Sequence, residues 1–178
     1  MARIPYFELD NAAPAFRAMV ATRPLLNVYR MVGHGGPAGE GFLTLGNAIL
    51  RHSQLPAELR ELVILRVGAL CGSAYEVFQH RRVAAQAGVA LEKIEAVLQN
   101  TSAEVVPGVF SADELLVVNY CDALVRQVKA PADMFAAVSA ILTHQQHMEL
   151  TMTVGFYMMV CRILENFEVD FEDPPIQF

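Results

Sequence analysis

Apolar positions recur at helical spacing along almost the whole chain. Residues 14–32 carry them three and four apart, with a break expected near Pro24. The run Gly33-His34-Gly35-Gly36-Pro37 reads as an interhelical turn. Its glycines could also cradle a phosphate, but no strand precedes them. A helix over 38–52 follows, and Pro56 suits the first turn of the next one. That helix contains Glu61-Leu62-Val63-Ile64-Leu65-Arg66-Val67-Gly68-Ala69-Leu70, where only two residues are charged, so it should be buried nearly all round. The β-branched residues would also suit a strand; the length of the run, unbroken until Cys71-Gly72-Ser73, favours a helix.

A helix from about Ser73 to Ala87 is closed by Gly88, and a short one covers Leu91–Asn100. Thr101–Phe110, with Pro107-Gly108, reads as a loop. Ser111-Ala112-Asp113-Glu114 is a capping box that opens a helix to about Lys129, and Pro131 opens another. Thr143-His144-Gln145-Gln146 looks like a second capping box before a long helix to about Asn166. The tail Glu168–Phe178 reads as irregular and suited to packing on a neighbour. The pattern predicts one all-α domain over residues 1–178, a single helical bundle.

Composition sharpens this picture. The chain has 178 residues, 54% apolar and only 18% charged, an excess of apolar surface that suggests burial between subunits. A net charge of −6 and the lack of any basic stripe argue against nucleic acid and against an anionic membrane surface. The N-terminus lacks the apolar run of a secretory signal, and Leu150–Cys161 is too short to span a bilayer. Cys71, Cys121 and Cys161 are odd in number and widely spaced, suggesting neither a disulfide framework nor a zinc site. A cytoplasmic protein without metal or cofactor is expected.

Candidate chemistry concentrates on one helix face. On a wheel of about 100° per residue, Ser73, Glu76 and His80 fall within roughly 60°, among Val77, Val83, Ala84 and Ala87. A buried carboxylate needs a compensating group, and Glu76 and His80, four apart, can supply one another. Glu61 on the preceding buried helix could join them, and two carboxylates around one imidazole would push the titrations apart. The same residues also allow a plainer reading: a helix-surface pair at 76 and 80, and a Glu61 favoured by the helix dipole.

The stretch Glu61-Leu62-Val63-Ile64-Leu65-Arg66, Cys71-Gly72-Ser73-Ala74-Tyr75-Glu76, Gln79-His80 and Ala87-Gly88-Val89 resembles the core signature of the carboxymuconolactone decarboxylase / alkylhydroperoxidase D-like superfamily. The resemblance covers residues 56–89. The peroxidase branch has a glutamate, a Cys-x-x-Cys pair and a histidine at this spacing. Glu61 and His80 match the outer members, Ser73 and Glu76 replace the two cysteines, and Tyr75 stands where a relay histidine can occur. A dithiol peroxidase needs a thiolate and a resolving thiol, which positions 73 and 76 do not supply. Cys71 is displaced by two residues and reads as a small buried side chain, or else as a lone nucleophile.

The resemblance therefore implies the decarboxylase side: a cofactor-free decarboxylase or related proton-transfer enzyme acting on a small carboxylated lactone or keto acid. His80 would be the general acid, Glu76 its orienting partner and Glu61 a second proton relay. Ser73, Tyr75 and Arg66 are expected to contact substrate. The alternatives are an antioxidant alkylhydroperoxidase-like protein degenerate at its dithiol, and a non-catalytic binding module. The family also implies an oligomeric bundle, a homotrimer or homohexamer.

Other residues offer weaker signals of chemistry of their own. His144 and His147, with Glu149, have metal-like spacing but read as exposed polar residues at a helix start. His34 could line a cavity mouth or cap a helix, Arg51 and His52 read as solvated, and Met152, Met158 and Met159 as core or subunit interface. Arg66 needs an anion, which could be Glu61, a partner-subunit carboxylate or a substrate.

Overall fold

Helices form where the apolar periodicity places them, and local signals set their ends. The computed structural model describes residues 1–99 and 108–173. It contains α1 (Pro14–Ala21), α2 (Asn27–Val32), α3 (Pro37–His52), α4 (Ala57–Leu70), α5 (Ala74–Gln86), α6 (Leu91–Gln99), α7 (Ala112–Gln127), α8 (Ala132–Ile141) and α9 (His144–Asn166), with no strand among the described residues. The all-α class is as expected, and the break at Pro24 falls between α1 and α2. Both capping boxes are present. Ser111 Oγ accepts from the Glu114 N–H, and Thr143 Oγ1 accepts from the Gln146 N–H while the Gln146 side chain returns the contact. The expected loop at Thr101–Phe110 lies outside the described residues except for 108–110, and Pro174–Phe178 of the tail lie outside them too. No helix among the described residues is long and apolar enough to cross a membrane.

Two compact units emerge. The first comprises Met1–His52 and Arg162–Phe178. In it the tail binds its own chain: the Arg3 N–H donates to Phe167 O, and Asp170 takes the Ala2 N–H and the Tyr6 hydroxyl. The Glu168, Asp170 and Glu172 carboxylates of the tail are all engaged within the chain. His34 Nε2 sits 2.8 Å from Pro5 O, and the ring meets Phe7 edge-on.

The second unit, Ser53–Cys161, is built around α4. Arg60 through Gly68 are all buried, because α5, α6 and α7 pack around this helix. Leu62, Leu65, Ala84, Val89, Ile94, Val97 and Val118 form one apolar cluster across these four helices and the α5–α6 turn. Burying α4 forces a solution on Arg66, which is fully enclosed. Its Nε and Nη2 donate to the two Asp122 oxygens at 2.6 Å each, and Nη1 donates to Val97 O. The anion is thus Asp122 on α7. The expectation that Arg66 contacts substrate is corrected, since its guanidinium is closed off from solvent and committed to a structural pair.

Candidate functional site

The site is made by two consecutive helix endings of the same design. α4 ends with Gly72 at φ +68, where the Ser73 N–H returns to Gly68 O and the Gly72 N–H to Ala69 O. α5 ends with Gly88 at φ +97, the Val89 N–H returning to Ala84 O and the Gly88 N–H to Ala85 O. Both are Schellman closures, which glycine adopts without the strain a side chain would bring. The first lets α5 begin at Ala74, so the chain folds straight back along α4. Gly68 allows close approach: a Cβ there would stand 3.2 Å from Val77 Cγ2 and 3.6 Å from Glu76 Cβ.

This hairpin brings Glu61, Glu76 and His80 together. His80 Nδ1 lies 2.7 Å from Glu61 Oε2, and Nε2 lies 3.0 Å from Glu76 Oε1, with only 8% of the histidine exposed. The first contact is a well-aligned hydrogen bond. The second is an ion-pair contact in which the N–H is off line, so Glu76 Oε1 remains a buried oxygen without a good hydrogen bond among the described residues. Burial opposes the charged ring, but the Glu61 and Glu76 charges, with the hydrogen bond to Glu61, outweigh it and His80 is pushed up to about 10. At neutral pH the ring is an imidazolium with a carboxylate at each nitrogen.

Two groups that sequence reasoning missed complete the cluster. Arg60 is buried next to Glu61, its Nε 3.4 Å from Oε1, which balances two carboxylates with two cations. The available signal was a second charge beside Glu61 on a helix read as apolar all round. Tyr157 of α9 meets the His80 ring edge-on, centroids 5.1 Å apart at 86°. Nothing in the sequence pointed from position 157 to position 80.

Ser73 occupies the N-cap of α5, yet its hydroxyl does not cap the helix. The Oγ is buried with no well-aligned partner among the described residues. It faces the same interior as Cys161, whose thiol is pushed well above its usual range by a hydrogen bond with Cys71, by burial and by the Glu76 charge, the nearby Ser73 hydroxyl pulling weakly the other way. Cys121 is also pushed up, chiefly by burial and by Asp122. Both thiols are held in the protonated, unreactive form. Cys71 is half-buried at the end of α4, beside Cys161 rather than on the Glu76 helix. Tyr75 is buried in the first turn of α5, about 100° around the helix from Glu76.

The remaining candidates fall elsewhere. Glu149 caps the turn before α4, its Oε2 accepting from Ser53 Oγ and from the Gln54 and Leu55 N–H groups. It is therefore spent on structure. Among the described residues no three His, Cys, Asp or Glu side chains are grouped to hold a metal. His147, read as exposed, is buried, whereas His144 is exposed. Met152 and Met159 are exposed rather than core.

Residues 37–117 match the carboxymuconolactone decarboxylase family. Three solved structures share the fold. An alkylhydroperoxidase AhpD core, an uncharacterized peroxidase-related protein from Ralstonia eutropha JMP134, superposes with a TM-score of 0.83 at 14% identity, covering 97% of this chain and 93% of that one. An uncharacterized peroxidase-related protein from Silicibacter sp. TM1040 gives 0.71 at 16% identity, covering 82% and 75%. A protein of unknown function from Agrobacterium tumefaciens, named "Putative Antioxidant Defence Protein AhpD", gives 0.68 at 20% identity, covering 79% and 92%. Among curated proteins, no sequence matches this chain.

Proposed function

We propose that this chain, whose residues 37–117 match the carboxymuconolactone decarboxylase family, is a cofactor-free decarboxylase or related carbon-acid enzyme acting on a small carboxylated lactone or keto acid. The observation that carries this reading is the imidazolium of His80 held between Glu61 and Glu76 in the protein interior. In the proposed reaction the bond to the departing carboxylate breaks, and its electron pair passes into the substrate's carbonyl to give an enolate. His80 protonates that enolate on carbon, carbon dioxide leaves, and a proton from solvent restores the imidazolium by way of a carboxylate.

A ring held protonated up to about 10 suits this role, because it is charged before the substrate arrives and discharges only to a strongly basic carbanion. It does not suit proton abstraction by His80. In the isomerase variant of the reading, Glu61 or Glu76 is the base instead. Ser73 Oγ and Glu76 Oε1, both buried and without well-aligned partners, are the atoms suited to meet a polar substrate group. Arg60 offsets the second carboxylate, so that one proton can move without leaving a bare negative pair in the interior. Assembly into a homotrimer or homohexamer belongs to the same proposal, and light scattering that gives a monomer would remove it.

A second reading has one observation in its favour: Cys71 and Cys161 adjoin each other beside Ser73 and Glu76. A hydroperoxide could in that case be reduced to an alcohol and water as the two thiols become a disulfide. Against it stand the raised Cys161 thiol and the non-thiol residues at 73 and 76. Thiol trapping after low peroxide decides between the two: unmodified Cys71 removes the peroxidase reading.

The decarboxylase reading is tested by carbon dioxide release from a panel of carboxylated lactones and β-keto acids. The wild type is expected to turn over at least one of them, and His80→Gln to lose about 100- to 10,000-fold in kcat. A wild type inert on the whole panel, or a His80→Gln protein equal to it, overturns the proposal.

A further inference from the structure

A second histidine of the Ser53–Cys161 unit is built into a cavity the proton relay does not use. Between α8 and the first turns of α9 lies a cleft of about 340 Å³, lined by Phe135, Ser139, His144, His147, Met148 and Thr151. That volume is within the range of small-molecule sites. His147 is only 6% exposed, and its ring is fixed from three sides. Ser139 Oγ lies 3.0 Å from Nδ1, Tyr120 meets the ring edge-on at 5.0 Å, and Phe135 tilts over it at 4.5 Å. The other ring nitrogen, Nε2, is buried with no hydrogen-bond partner among the described residues. A buried polar atom left so is costly and rare, which marks it as a ligand contact.

We propose that this cleft binds a small uncharged ring compound carrying a hydroxyl group, whose OH hydrogen-bonds His147 Nε2 while the ring packs on Phe135 and Met148. A hydroxyl is selected because the Ser139 contact leaves the tautomer open: Nε2 either donates or accepts, and an OH satisfies both cases. The ligand is uncharged because no Lys, Arg, Asp or Glu lines the cleft, and because burial and the neighbouring His144 keep His147 neutral by lowering its pKa. Access to Nε2 requires only side-chain motion. Phe135 and Met148 are 53% and 61% exposed, and exposed side chains change rotamer within nanoseconds. The cleft is distinct from the His80 cluster, since Tyr157, which touches His80, lies ten residues or about 15 Å further along α9.

The test is titration of the full chain with 2-naphthol, naphthalene and 2-naphthoate, followed by ring resonances of His147 and His80. Naphthol is expected to shift His147 and leave His80 in place, and to bind about tenfold tighter than naphthalene, the worth of one hydrogen bond. Naphthoate should bind more weakly than naphthol. His147→Phe, which keeps a ring in the slot, should abolish the naphthol preference. Met148→Trp, a change at an exposed position that fills the mouth, should abolish binding while leaving the melting temperature unaltered. Equal binding of naphthol and naphthalene, tighter binding of naphthoate, or unchanged binding in Met148→Trp overturns the proposal.

Discussion

His80 and His147 stand in the same unit, both on helices and both more than nine-tenths buried, yet their chemistry runs in opposite directions. Burial alone would keep each ring neutral. At position 147 it does, because the partners are a serine hydroxyl and two aromatic rings, and the nearby His144 adds repulsion. At position 80 two carboxylates within 3.0 Å reverse the sign and keep the ring charged up to about 10. Desolvation sets the stakes for a buried imidazole, and the charges facing it decide the outcome. The first site is suited to delivering a proton, the second to holding a neutral hydrogen-bonding group.

The strongest way to break this contrast is to remove a carboxylate. Glu61→Gln leaves two buried cations against Glu76 alone, and should cost about 3–5 kcal/mol in urea unfolding. The pKa of His80, followed by NMR, should fall further in this variant than in Glu76→Gln, because the Glu61 contact is the better-aligned one. Equal falls in the two variants would sink that ordering.

A gentler probe is pH, since the two histidines should tilt stability in opposite senses. His80 has a folded pKa above the unfolded value of about 6.5. Its contribution is therefore complete below that pH and lost as pH rises through about 10. His147 has a lowered folded pKa, so its contribution is complete above about 6.5 and lost as pH falls below it. Denaturation across this range should show His80→Gln flattening the alkaline decline and His147→Phe flattening the acid one. A variant that flattened the wrong limb would refute its assignment.

The smallest effect separates scaffold from site. Gly88→Ala forces a side chain onto φ +97 and toward Glu58 Oε1 at 3.0 Å, and should cost about 1–2 kcal/mol in thermal melts. His80 lies two turns upstream and should keep its raised pKa. If its pKa moved with the melt, the helix ending would be part of the electrostatics after all.

What could be read from the chain were features set within a few residues of one another. The capping boxes at Ser111 and Thr143, the glycine after α5 and the buried character of α4 follow from local spacing, because helix ends and faces are fixed by neighbours one turn away. The meeting of Glu61, Glu76 and His80 was legible for a related reason: a short turn joins α4 to α5, so sequence distance almost determines spatial distance. Partners from remote helices were not legible. Asp122 taking Arg66, Tyr157 against His80 and the burial of His147 under Phe135 and Tyr120 arise where α4, α7, α8 and α9 pack. At position 147 the local pattern pointed the wrong way, to solvent. Which charges are paired and which imidazole stays neutral depends on long-range contacts, because Coulomb and desolvation terms are decided by whatever lies within a few ångströms, whatever its place in the sequence.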